Sequence, residues 1–173
     1  MKHNLTVILL ALRAAVIVIA GMCIFHLFCL YTSLVYIDDS AISPISSYFR
    51  PLTGIADLWA EPLFLGLYAL LLGYLVYTLV NLYKSFTNLQ KENIFYPKQA
   101  REFKRAGGGI IIFAKCKYLL FCSFGALPFH DIGIFLKEIA PFLVVYLLGK
   151  FVLVLYYLAE KGEYLREEND LTV

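Results

Sequence analysis

Charge is scarce in this sequence. Only 16% of its 173 residues are Asp, Glu, Lys or Arg, against 61% hydrophobic ones, and the mean hydropathy is +0.73. A soluble domain carries about a quarter charged residues, so this chain lacks the polar surface to cover itself in water. Cysteine is also sparse: Cys23, Cys29, Cys116 and Cys122, with no C-x-x-C, which argues against a membrane thiol oxidoreductase. Six residues turn a helix by about 240°, so neither pair shares a face, and all four read as small buried apolar side chains. Histidine is rarer still. His26, inside an apolar run, reads as a hydrogen-bonded core residue, and His130 beside Asp131 as an interfacial pair. A metal site needs more ligands than this. No nucleotide-binding fingerprint, zinc spacing or nucleophile elbow occurs, and there is no internal repeat. These absences lead us to expect no catalytic residue, no metal and no cofactor.

What the chain does have is four apolar runs of about the length that crosses a bilayer, roughly 20 residues. They predict spans over residues 8–36, 62–83, 109–129 and 140–159. The first is too long for the core of a cleaved signal peptide, 7–15 residues, and nothing after it resembles a cleavage site. It reads as an uncleaved helix with Arg13 snorkelling to the near interface. Pro62 suits the first turn of the second span. There Gly66, Ala69 and Gly73 share a stripe that lets a neighbour approach closely. Backbone groups in lipid must be satisfied internally. The expected fold is therefore all-α, an integral membrane four-helix bundle forming one domain over 1–173.

The polar segments orient it. Residues 84–108 carry Lys84, Lys91, Lys98, Arg101, Lys104 and Arg105 against Glu92 and Glu102, a net +4. The N-terminus adds Lys2 and Arg13, and the tail adds Lys161 and Arg166. The other two loops hold only Arg50 and Lys137. By the positive-inside rule both termini and the central loop are cytoplasmic. The loop after the first span is net −3 and partly apolar. Tyr48, Phe49 and Trp59 suit an interfacial belt, with a short helix over Pro51–Trp59. In the central loop, Pro97 can start a helix in which Lys98, Arg101 and Arg105 share one face and Ala100, Phe103 and Ala106 another. That pattern suits a helix lying on lipid headgroups. Gly107, Gly108 and Gly109 then either loosen the backbone or let it pack tightly.

Three cations stand out inside spans: Lys115, Lys117 and Lys150. No acid lies inside any predicted span to neutralise them, and intramembrane charge is costly and commonly functional. One reading is a cationic cavity for an anionic ligand or lipid headgroup, with Lys150 facing the bundle interior. The plainer reading has Lys115 and Lys117 snorkelling to the inner interface. The tail from Glu160 to Val173 holds five acids against two bases. It reads either as a solvated end or as a docking segment anchored by Leu165, Leu171 and Val173.

The loop Phe86-Thr87-Asn88-Leu89-Gln90-Lys91-Glu92-Asn93-Ile94-Phe95 and the tail pattern of Gly162, Leu165 and Glu167-Glu168-Asn169-Asp170-Leu171-Thr172-Val173 together resemble the signature of a bacterial four-span membrane family. That family is catalogued as domain of unknown function 2975. The chain departs from it at Tyr96-Pro97, where the family usually has Ser or Thr, a natural helix cap. Genes of the family often lie beside a small helix-turn-helix protein. The resemblance therefore implies a non-enzymatic regulator or sensor in the bacterial inner membrane that engages a cytoplasmic DNA-binding regulator and itself binds no nucleic acid. Candidate contacts are Phe86, Asn88, Leu89, Phe95, Arg101, Glu163, Leu165, Glu167, Glu168, Asn169, Asp170 and Leu171. The alternative is a small transporter or lipid-binding protein built on Lys115, Lys117 and Lys150. It would be expected to form a homo-oligomer, since four helices leave little room for a pore.

Overall fold

A computed structural model of the chain describes residues 2–35, 48, 59–90, 99–127 and 131–171. They form four helices: α1 Lys2–Val35, α2 Ala60–Gln90, α3 Gln99–Ala126 and α4 Ile134–Leu171. Each is long and apolar enough to cross a membrane, and the chain is a multi-pass membrane protein. Helix α1 packs on α2, α2 on α3, and α3 on α4. The middle helices are the most enclosed. Of the apolar windows of α2 and α3, 39% is buried, against 6% for α1 and 11% for α4. The outer faces of α1 and α4 are therefore apolar and open, as lipid contact requires.

The helices run past the predicted spans at the end where the chain passes from α2 to α3. At 1.5 Å per residue α4 is about 57 Å long, nearly twice the ~30 Å hydrocarbon thickness. Its unbroken course takes in Gly162 and the acidic tail as far as Leu171. Pro141 lies inside α4, where it removes one backbone donor and favours a bend.

One expectation about the central loop is corrected, and one pair of alternatives is decided. The basic helix does not lie apart on headgroups. It forms the first turns of α3, with Ala100, Phe103 and Ala106 buried against Leu82, Val152 and Ala159, while Arg101, Lys104 and Arg105 stay exposed. The three glycines do not loosen the backbone either: they sit within the helix. Glycine there costs up to about 1 kcal/mol each relative to Ala. Close packing offsets this. A Cβ on Gly107 would stand 3.0 Å from the Gly149 carbonyl oxygen, and one on Gly109 2.7 Å from the Thr78 side chain. Adjacent turns of α3 thus hold α4 on one side and α2 on the other. On α2, Gly66 and buried Ala69 do seat α1: Leu30 lies 3.7 Å from the Gly66 Cβ position, and the Cys23 thiol donates to the Ala69 carbonyl at 3.4 Å. At Gly73 nothing lies that close.

Candidate functional site

The polar groups inside the apolar part of the molecule gather near the α3–α4 turn. That turn is closed by the Asp131 N–H donating to the Gly125 carbonyl at 2.7 Å, with Ile134 buried beneath it. Because α4 begins at Ile134, Glu138 is a helical residue facing α3. Lys117 Nζ lies 2.6 Å from its Oε2, with side chains 21% and 15% exposed. The ammonium also sits over the Phe121 ring, 4.7 Å from its centroid, a cation–π contact. The expectation that Lys117 snorkels to the opposite interface is therefore corrected. The nearest neutralising charge is one short turn into the next helix, and the lysine reaches for it.

Next to this pair lies a cluster of rings. Phe121 packs against Phe64, Tyr68 and Tyr48 with centroids 5.2, 5.3 and 5.5 Å apart. His26 of α1 meets the Tyr68 ring at 4.9 Å. His26 Nδ1 lies 2.7 Å from the Met22 carbonyl oxygen, which can only accept, so Nδ1 carries a proton. In the neutral ring Nε2 then accepts from the Tyr48 hydroxyl, 2.9 Å away. His26 is thus the hydrogen-bonded core residue expected. Tyr48 is not in an interfacial belt: its ring is packed among Phe64, Tyr68 and Phe121 and its hydroxyl is spent on His26. The other belt residue described, Trp59, is 76% exposed. The proposed helix over Pro51–Trp59 falls mostly outside the described residues. So do Phe49 and His130. Asp131 is held by Lys137 at 3.2 Å.

Lys115 and Lys150 do not join Lys117. Both are exposed, and Lys150 Nζ lies 5.6 Å from the centroid of Tyr146 on its own helix. The expectation that Lys150 faces the interior is corrected. Gly149 takes the seam against α3, and the next residue, about 100° further round the helix, turns outward. The three lysines form no common cavity. A cavity of about 460 Å³ does lie between α2 and α3, lined by Leu67, Leu70, Leu71, Cys116, Leu119 and Phe124 among others. It is apolar and open to the outside.

A second polar node closes the other end. The Ser85 hydroxyl lies 2.8 Å from Glu102 Oε2 and 3.1 Å from the Asn81 carbonyl, tying α2 to α3. Phe86 stacks edge-on against Phe103 at 5.5 Å, so it is partly consumed by the fold. Lys104 lies over the Tyr156 ring at 5.1 Å, and the Tyr156 hydroxyl donates to Glu160 at 2.7 Å. Asn88 and Leu89 are half-buried on the last turn of α2, and Arg101 is exposed. Phe95, with 91–98 as a whole, is outside the described residues. Glu163, Leu165, Glu167, Glu168, Asn169, Asp170 and Leu171 belong to α4 by backbone, and their side chains are outside the description, as are Thr172 and Val173 altogether.

Sequence reasoning missed the partner of Lys117. Glu138 stands only two residues before the apolar run from Ala140, and Leu136, Lys137 and Glu138 are good helix formers. Starting the fourth helix before Pro141 would have brought the acid into range. Among the described residues no group of three His, Cys, Asp or Glu side chains could hold a metal ion.

No curated protein and no solved structure matches the chain. A family model described as a protein of unknown function, DUF2975, matches residues 36–173. That range takes in α2, α3 and α4 whole, with both polar nodes and the long extension of the last helix. The chain belongs to the DUF2975 family.

Proposed function

We propose that the protein is a non-enzymatic membrane regulator that engages a cytoplasmic DNA-binding regulator. In this reading it sits in the bacterial inner membrane with both termini and the 91–98 segment in the cytoplasm, which agrees with the distribution of lysine and arginine. The observation that carries the reading is the continuity of α4. One helix holds Glu138 in the ion pair at one end of the membrane region and continues to Leu171, roughly 17 Å beyond Glu160. A change in how α4 packs on α3 is therefore passed along one continuous helix, past Pro141, to the acidic extension. Glu163, Glu167, Glu168 and Asp170 would meet the basic surface with which a partner binds DNA, and so withhold it from DNA. Phe86 is committed to Phe103, so the docking surface reduces to Arg101 and the extension. Asn88 and Leu89 flank it.

Affinity purification from detergent-solubilised native membranes tests this, comparing the full chain with one truncated after Glu160. Co-purification of a small DNA-binding protein with the full chain, and its loss on truncation, is the expected result. Equal recovery with both forms moves the dock off the tail. Recovery with neither overturns the regulator reading.

A further inference from the structure

We infer that the outward face of the α3–α4 pair is a binding site for an anionic phospholipid, with Lys115 and Lys150 as its deep cationic floor. The face follows from the seam. Helix α3 gives Gly107, Ile111 and Tyr118 to α4, which answers with Gly149, Leu153 and Phe142. The two helices are antiparallel, so advancing along either one turns its side chains toward the same side of the pair. At about 100° per residue, Lys115 and Lys150 both fall on that side. Lys117 falls on the opposite side, where it meets Glu138.

Above the two lysines the same face carries exposed Arg101, Lys104 and Lys161, and the stripe Tyr146, Lys150, Tyr157, Lys161, Tyr164 runs along α4 at helical spacing. Gly107 meets Leu153 six residues along each helix from Arg101 and Ala159, which therefore share a level; from it Lys150 stands about 14 Å and Lys115 about 21 Å along the helices. A lysine chain covers only part of that distance by snorkelling. An ammonium left unpaired in hydrocarbon is costly.

An anion must therefore come to them. Among the described residues a second copy offers none at that depth: Glu61 and Glu102 stand at the starts of their helices, and Glu138 is taken by Lys117. Glu160, which adjoins the face, is engaged by the Tyr156 hydroxyl. A phosphate diester with its own acyl chains brings both the charge and the apolar body that the leucines of this face accept. Basic pockets between membrane helices recognise such headgroups. The inference does not depend on the regulator reading.

The test uses the full chain in detergent, with phosphatidylglycerol or phosphatidylcholine added. Retained lipid is read by native mass spectrometry and the unfolding midpoint by circular dichroism. The wild type should retain phosphatidylglycerol selectively and melt higher with it. K115L/K150L should bind it about twenty-five-fold more weakly, about fivefold per lysine, while unfolding normally in phosphatidylcholine. K115R/K150R should keep the preference. An unchanged preference in K115L/K150L overturns the site. A lipid-free oligomer that K115L/K150L dissociates also overturns it, in favour of a second copy.

Discussion

At the residue scale, the Lys117–Glu138 pair is an expensive arrangement kept inside an apolar array. Removing one partner leaves the other charge uncompensated, whereas replacing both by apolar groups removes the desolvation cost as well. Glu138→Gln or Lys117→Leu should each destabilise the fold by about 3–5 kcal/mol, and K117L/E138L should lie within about 1 kcal/mol of the wild type or above it. Thermal unfolding of the purified variants in one detergent checks this. Additive losses in the double variant would mean that the two side chains do not act as a pair. If the pair also sets the signalling state, the stable double variant should lose regulation. Tyr48 makes a smaller prediction. Tyr48→Phe keeps the ring among Phe64, Tyr68 and Phe121 but leaves His26 Nε2 without its donor, at a cost of about 1–3 kcal/mol by the same measurement.

At the scale of the element, α3 does most of the organising. Its glycines face two neighbours, its first turns are amphipathic, and its last turns carry the cation that α4 neutralises. A Cβ on Gly149 would stand 2.7 Å from Ile111 Cγ1 and 3.2 Å from the Gly107 carbonyl. Gly149→Ala should therefore force the seam open and cost about 1–3 kcal/mol. Gly108, with nothing near its Cβ position, should accept Ala and gain helix propensity. A melting point that falls equally for both variants would refute this division of labour. The elements themselves were legible in the sequence, because apolar length identifies a membrane helix whatever its partners are. The buried face of Ala100, Phe103 and Ala106 was legible too, from period alone. What that face packs on was not. Period gives a face but not its neighbour, and headgroups, α2 and α4 all suit an apolar stripe. Helix ends were the weakest point. Placing the start of α4 at Ala140 put Glu138 in a loop and left Lys117 without a partner. The lysines were consequently grouped by composition when geometry divides them between two sides of one helix pair.

At the scale of the whole molecule, the positive-inside arrangement predicts that Trp59 and Lys161 lie on opposite sides of the membrane. In a cysteine-free background, Trp59→Cys should react with an impermeant maleimide added to intact spheroplasts. Lys161→Cys should react only after permeabilisation. Reaction of both from outside would reverse the topology and remove the cytoplasmic dock with it.

The succession of contacts, α1 on α2, α2 on α3 and α3 on α4, also bears on how the protein is made. Each helix packs chiefly on the one synthesised just before it, so its native neighbour is already in the bilayer when it arrives. Among the described residues the main helix interfaces join neighbours in sequence, and local connectivity of this kind keeps the entropy of assembly small. Lys117 must wait: it enters the membrane with α3, and its charge stays uncompensated until α4 brings Glu138 beside it.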